Sequence, residues 1–188
     1  MTIRSMNRRC VLAIQSAVIA VCACAMSAPA SAQPSTMPRV RDNGDPSIAA
    51  LISEATARSP TFRRLVETID ATDGIVYVEH GPCRRGVLAY LALTVTVAGP
   101  HRVLRIVVDP RRDRRELMAA IGHELRHAIE VLSDRAITDN RAIYFFYQRE
   151  GPTGRERFET AAARRTGWEV FSELSRRNIE DFRLKIED

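Results

Sequence analysis

The sequence has few cysteines, and most of them lie at one end of the chain. Three of the four, Cys10, Cys22 and Cys24, precede residue 33, and only Cys83 follows it. A disulfide within the rest of the chain is excluded, because a disulfide needs two cysteines. We therefore expect the fold to depend on its hydrophobic core rather than on a disulfide framework.

Long apolar runs are also absent, apart from one at the amino terminus. Three arginines within residues 4–9 precede the uncharged stretch 10–26, and Ala30-Ser31-Ala32 follows it. This order is typical of a secretory signal peptide with a small-residue cleavage site. We predict that residues 1–32 are removed on export to a periplasm or the exterior, with no stable membrane insertion afterwards. The alternative is an uncleaved anchor, since a stretch of this length reaches the lower limit for crossing a bilayer.

A strong excess of one charge is lacking once this leader is set aside. The leader holds three of the 28 basic residues and no acidic ones, which leaves 25 basic residues against 23 acidic ones. The arginines of segment 111–115 are interpreted as the solvated start of a helix. Because nucleic-acid binding requires clustered positive charge, we expect no nucleic-acid partner.

Histidine is rare as well, yet two of the four histidines lie four residues apart in His123-Glu124-Leu125-Arg126-His127. Residues at this spacing share one face of a helix with Cβ atoms about 5–6 Å apart, so both imidazoles can bind one metal ion. Glu124 can then act on a water molecule held by that ion. The pattern is the HExxH motif of zinc peptidases. The alternative is a helix in which both histidines serve only packing.

The residues around this motif predict a long helix. Segment 116–132 contains no proline, and its apolar residues recur at helical spacing, so that one face can be buried. Asp113 and Glu116 form the pattern of an N-cap and capping box. The motif therefore falls in the middle of a helix, where the four-residue spacing brings the two imidazoles together.

A metal ion at this motif needs a third protein ligand. The histidine and glycine that continue the motif in metzincins are absent, because Glu130 and Ser133 occupy those positions. Glu159 is the favoured ligand, on a second long helix that we predict to begin at Arg157, and it would complete a His2Glu site with an open position. A solvated carboxylate in the first helical turn is the alternative interpretation of Glu159. Other carboxylates remain open as ligands: Glu130, Asp139, Glu156 and Glu169.

Two segments together resemble a known family. The sequence Gly-His-Glu-Leu-Arg-His-Ala-Ile-Glu-Val at 122–131, followed by Phe-Glu-Thr at 158–160, resembles zincin metallopeptidases of the gluzincin kind, including small secreted bacterial zincin-like proteins. The resemblance covers roughly residues 75–175. It implies zinc bound by His123, His127 and Glu159, with Glu124 as the general base.

The remaining pattern predicts a single α+β domain of the zincin-like type over residues 47–188, preceded by a signal peptide at 1–32 and a flexible linker at 33–46. In this domain a small antiparallel sheet packs against the HExxH helix and a following ligand-bearing helix. Further helices are expected at 47–58, 60–69 and 139–148. Strands are expected at 75–80, 87–97 and 102–108, with the last two paired as a hairpin.

These features predict a secreted zinc-dependent metallopeptidase with a peptide or protein substrate. Glu124 would take a proton from the attacking water, and a tyrosine of the aromatic cluster, Tyr144 or Tyr147, could face the metal instead of packing in the core. A latent thiol ligand at Cys83 is a further option. Two alternatives stay open: a non-catalytic binding module stabilised by its metal, and a zinc amide hydrolase acting on a non-protein substrate.

Overall fold

The computed structural model describes residues 37–150 and 158–187, and in this part of the chain it shows a five-stranded sheet and five helices. The predicted signal peptide and Glu156 lie outside the described residues. The strands are Val40–Arg41 (β1), Gly74–His80 (β2), Ala89–Leu91 (β3), Thr96–Ala98 (β4) and His101–Val108 (β5). The helices are Pro46–Arg58 (α1), Pro60–Asp70 (α2), Arg114–Ser133 (α3), Asn140–Glu150 (α4) and Ala161–Glu187 (α5).

The sheet is mixed rather than antiparallel. Strand β5 lies in its interior, with β2 parallel on one side and β3 and β4 antiparallel on the other. Strand β1 extends the sheet by pairing parallel to β2. The predicted hairpin between β4 and β5 is confirmed, and Gly99 in its turn adopts φ of 58°. The prediction of an antiparallel sheet is wrong for β2, because the chain reverses into the β3 and β4 segments and again at the hairpin, so that β5 runs in the same direction as β2.

The predicted long strand at 87–97 is interrupted. Its two ends form β3 and β4, which pair with opposite ends of β5. Between them, the backbone N–H of Val95 donates to the side chain of Asn140 in α4 at 2.9 Å. This contact comes from an element 45 residues away. Strand propensity therefore extends through the whole segment, while tertiary contacts decide where the pairing stops.

The predicted linker at 33–46 is wrong for the residues of β1. Val40 is buried, and the carbonyl of Arg39 accepts a hydrogen bond of 2.8 Å from the backbone of Val76. Polar and turn-forming neighbours favour a loop here, but the pairing with β2 recruits the segment into the sheet. The folded part of the chain therefore begins before residue 47.

Helices α1 to α4 agree closely with the sequence prediction because their start signals are local. Asp113 caps α3 by accepting a hydrogen bond of 2.9 Å from the N–H of Arg115. Helix α3 packs with one face on β3 and β5 and with another on α2 and α5. In the residues that the structure describes, no helix has the length and apolar character needed to cross a bilayer. The architecture is a mixed α+β arrangement with α3 at its centre.

Candidate metal centre

The middle of α3 presents the two motif histidines to the same space. Their ring centroids lie 4.9 Å apart, with the ring planes at 72° to each other. His127 is buried, whereas the His123 side chain is 20% exposed. The close approach of α5 depends on Gly167, where an added Cβ would lie 3.2 Å from the Cβ of His123. The helical spacing therefore brings the two rings together as the sequence predicts.

Glu159 joins the two histidines, although it does not lie on a helix. It precedes α5, whose first turn is capped by the hydroxyl of Thr160, which accepts a hydrogen bond of 3.1 Å from the N–H of Ala163. The prediction that this helix begins at Arg157 and carries Glu159 is therefore corrected. The Oε2 atom of Glu159 lies 3.3 Å from Nε2 of His123, and its Oε1 atom lies 3.8 Å from Nε2 of His127.

This arrangement can hold a metal ion. The donor atoms of His123, His127 and Glu159 all lie within 4.8 Å of one another. Metal–ligand bonds of about 2.0–2.1 Å in a tetrahedral site place neighbouring donors about 3.3 Å apart. The Oε1 atom of Glu159 is also buried without a hydrogen-bond partner among the described residues. Such an atom is costly to bury unpaired, and a metal ion in this position would satisfy it.

The histidines and carboxylates of the cluster stabilise each other's charged forms. Burial acts to lower the pKa of His123, but the carboxylates of Glu159, Glu124 and Glu130 outweigh it, so the pKa is raised. Burial acts in the opposite direction on Glu159, yet its contacts with His123 and His127 lower the pKa of this carboxyl. Glu159 therefore favours a cation beside it, and a metal ion could take the place of the proton on His123.

Glu124 is held next to this cluster by the sheet. Its Oε2 atom accepts a hydrogen bond of 2.8 Å from the backbone N–H of Leu91 in β3. The other oxygen, Oε1, lies 3.9 Å from Nε2 of His123. Burial raises the pKa of Glu124 above its ordinary value, although both motif histidines act against this rise. A carboxylate with a raised pKa is well suited to accept a proton from water.

The other carboxylates that the sequence leaves open as ligands have different roles or places. Glu130 accepts hydrogen bonds from Nδ1 of His127 at 3.0 Å and from the hydroxyl of Thr160 at 2.9 Å. Asp139 caps α4 by accepting from the backbone N–H groups that follow it. Glu169 is exposed on α5.

The two tyrosines of α4 do not direct their hydroxyl groups to the ligand atoms. Tyr147 is buried, and its hydroxyl donates to the backbone carbonyl of His127 at 3.1 Å. Burial raises the pKa of this phenol, which therefore stays neutral. Tyr144 is 38% exposed, and its hydroxyl accepts a hydrogen bond from Gln148. The core interpretation holds for Tyr147, whose ring packs against His127 with centroids 5.4 Å apart.

Cys83 does not join the cluster that could hold a metal. The thiol contacts the backbone carbonyls of Leu88 and Val107 at 3.8 and 3.9 Å, and burial raises its pKa. His80 instead contacts Asp45, at 3.1 Å. The structure therefore gives the thiol a packing role beside β3 and β5.

Two cavities meet at the cluster. One has a volume of about 440 Å³ and extends between β3, α3 and α5, where Trp168 and Phe171 line it. The other has a volume of about 410 Å³ and extends along β3 towards Tyr90 and Phe158. Both are lined by His123, Glu124 and Glu159, together with Val87 and Arg164. The cluster that could hold a metal thus borders two mainly apolar cavities.

Several contributors to this centre are not evident in the sequence pattern. The backbone N–H of Leu91 and the close approach at Gly167 depend on tertiary structure, and the contact of Glu130 with His127 depends on the orientation of both side chains on α3. The three-residue spacing from His127 to Glu130 was the one available signal, since residues three apart share a helix face. Compared with known proteins, the chain matches no family model, no curated protein and no solved structure.

Proposed function

We propose that the chain is a zinc-dependent peptide hydrolase with a zincin-like domain, in which His123, His127 and Glu159 bind the metal. The observation that supports this proposal is the convergence of two imidazoles and one carboxylate with an unpaired buried oxygen, beside a second carboxylate held by the sheet. Two nitrogen donors and one oxygen donor are a set that zinc accepts in hydrolases, where a fourth position stays open.

The reaction follows from the residues around the open position. When bound, zinc would act as a Lewis acid and lower the pKa of a water molecule to about 7. Glu124 would accept a proton from a water molecule in the open position as the water oxygen forms a bond to the peptide carbonyl carbon and the C=O π bond opens. Its Oε1 atom faces the cluster, while the bond from Leu91 fixes Oε2. The same carboxyl then donates the proton to the amine nitrogen as the C–N bond breaks.

The substrate would lie across the two cavities, beside β3. Strand β5 is paired on both sides within the sheet and offers no free edge, whereas β3 lies at the end of the sheet. An extended peptide that follows β3 would pass His123 and Glu124 and reach both apolar spaces. We also propose that the predicted signal peptide delivers this hydrolase outside the cytoplasm.

Zinc content and peptide cleavage test the proposal together. Wild-type protein should bind about one equivalent of zinc and cut members of a peptide library. Glu159→Ala should lose the metal, whereas Glu124→Gln should keep it and lose at least about 100-fold in kcat/KM. Glu169→Gln serves as the control, because Glu169 is exposed on α5.

The outcomes separate the proposal from its alternatives. Metal bound without cleavage of any peptide, together with unfolding on chelation, would favour the non-catalytic module. Cleavage of non-protein amides alone would favour the other hydrolase. A folded wild type that binds no zinc would contradict the proposal altogether.

A further inference from the structure

We propose that Glu130 is a positioning residue that aligns two of the three metal ligands, His127 by direct contact and Glu159 through Thr160. This inference rests on the proposed metal site and adds a residue that would not touch the metal itself. Glu130 follows His127 by three residues on α3, so both side chains extend from one face of the helix.

The contact with His127 determines which nitrogen can bind a metal. Nδ1 of His127 lies 3.0 Å from Oε2 of Glu130. An ionised carboxylate can only accept a hydrogen bond, so the proton of a neutral imidazole belongs on Nδ1. Nε2 then carries the free lone pair, and this atom lies 3.8 Å from Oε1 of Glu159. Glu130 therefore selects the tautomer in which His127 is a ligand at the cluster.

The second carboxylate oxygen of Glu130 is hydrogen-bonded to the segment that carries Glu159. Oε1 accepts a hydrogen bond of 2.9 Å from the hydroxyl of Thr160. That hydroxyl also accepts from the N–H of Ala163 and so caps α5. Because Glu159 immediately precedes Thr160, this link fixes the start of α5 and the place of the carboxylate in front of it.

Glu130 is equipped to hold both contacts at once. Its side chain is 11% exposed, and Arg126 also contacts Oε1, at 3.4 Å. Both carboxylate oxygens of Glu130 already have hydrogen-bond partners. Oε2 contacts Nδ1 of His127, whereas Nε2 of the same ring faces Glu159. These contacts favour a positioning role over that of a third ligand.

The test compares Glu130→Ala and Thr160→Val with Glu169→Ala, which removes an exposed carboxylate from α5. Two quantities are measured on purified protein: the zinc dissociation constant, by competition with a chromophoric chelator, and the tautomer of His127 in the metal-free form. Long-range ¹H–¹⁵N spectra at about pH 8.5, above the ordinary imidazole pKa of about 6.5, distinguish the two tautomers.

We expect Glu130→Ala to raise the zinc dissociation constant about 10- to 100-fold and to abolish the preference for a proton on Nδ1 of His127. Thr160→Val should raise the constant by less and leave the tautomer as in wild type, because it removes only the second link. Glu169→Ala should change neither quantity. Should Glu130→Ala fail to fold, Glu130→Gln takes its place, since its amide oxygen keeps one acceptor; we expect a zinc constant between those of wild type and Glu130→Ala.

A zinc constant within twofold of wild type in the folded Glu130 variant would overturn the inference, as would a wild-type tautomer with the proton on Nε2. Either result leaves the proposed function standing, provided that the wild type binds zinc. A wild type without zinc affinity contradicts the metal centre itself, and with it the role of Glu130. The two failures are therefore distinguishable in one experiment.

Discussion

Helix α3 contacts two buried polar clusters that differ in how completely they are hydrogen-bonded. At the carboxyl end of the helix, Arg102 of β5 is only 3% exposed, yet every guanidinium nitrogen donates. Its Nε and one terminal nitrogen bind the carboxylate of Asp73 at 3.0 and 2.8 Å. The terminal nitrogens also reach the backbone carbonyls of four residues: Val131, Leu132, Asp134 and Ile137.

In the middle of the same helix, the cluster of His123, His127 and Glu159 is left incomplete. Oε1 of Glu159 has no hydrogen-bond partner among the described residues and lies 3.8 Å from Nε2 of His127, while Oε2 lies 3.3 Å from Nε2 of His123. Both clusters bury charged groups, so burial alone does not distinguish a structural cluster from a binding site. The distinction lies in whether the protein itself satisfies the polar atoms.

Removal of Arg102 would break the complete cluster and should have the largest effect. Arg102→Met leaves Asp73 without its partner and removes the guanidinium donors from the backbone carbonyls at and just beyond the end of α3. We expect the free energy of unfolding to fall by about 3–5 kcal/mol, as measured by urea denaturation. Arg105→Met is the control, since Arg105 is 57% exposed and its ion pair with Glu79 should contribute less than about 1 kcal/mol. Equal losses in the two variants would contradict the special role of Arg102.

Zinc should complete the incomplete cluster and thereby stabilise the fold. At a free zinc concentration about 100 times the dissociation constant, binding adds about 2.7 kcal/mol to the free energy of unfolding. His123→Ala should lose this increment, because it removes one of three ligands. His80→Ala should retain it, since His80 contacts Asp45 instead. Thermal denaturation with and without zinc measures the difference, and an increment that survives in His123→Ala would place the metal elsewhere.

The complete cluster should also be sensitive to acid. The hydrogen bonds from Arg102 lower the pKa of Asp73 below the value of about 3.9 in an unfolded chain. Its stabilising effect is therefore full above about pH 4 and declines as the pH falls through the lowered folded pKa. Because Asp73 is one-third exposed, we expect Asp73→Asn to cost only about 1–2 kcal/mol at pH 6. Urea denaturation should show this cost shrinking at pH 3; a constant cost at both pH values would contradict the ion pair.

The smallest effect is expected where the proposed metal centre contacts α4. Tyr147→Phe removes the hydroxyl that donates to the carbonyl of His127, while the ring remains packed on the imidazole. We expect a loss of about 1 kcal/mol in the free energy of unfolding, typical of one buried hydrogen bond. Tyr90→Phe should have no measurable effect, because Tyr90 is 38% exposed. A large loss of zinc affinity in Tyr147→Phe would instead give the phenol a direct role at the metal.

The sequence was most informative where structure depends on near neighbours. The cap at Asp113 and the apolar spacing after it predict α3, and the four-residue spacing brings His123 and His127 together. The choice of Glu159 came from the chemistry of a missing ligand. The local structure predicted for Glu159 was wrong, because α5 begins after this residue, with the hydroxyl of Thr160 as the cap of its first turn.

These local patterns do not predict which strands pair when they are far apart in the sequence. The parallel contact of β2 with β5 joins segments that are separated by the β3 and β4 residues, and nothing in either segment specifies the direction. The break between β3 and β4 depends on Asn140 from a later helix. The contact between Glu130 and His127 depends on how the imidazole is oriented, and the spacing alone does not specify that orientation.

The bond between Glu124 and Leu91 also removes one free backbone donor from the end of the sheet. Strand β3 lies at the end of the sheet, where an unpaired N–H is a template for pairing with another chain. The carboxylate of Glu124 occupies the N–H of Leu91 and blocks that donor from a neighbouring molecule. The side chain proposed as the general base thus leaves β3 with one donor fewer at its edge, both for a substrate peptide and for a second copy of this chain.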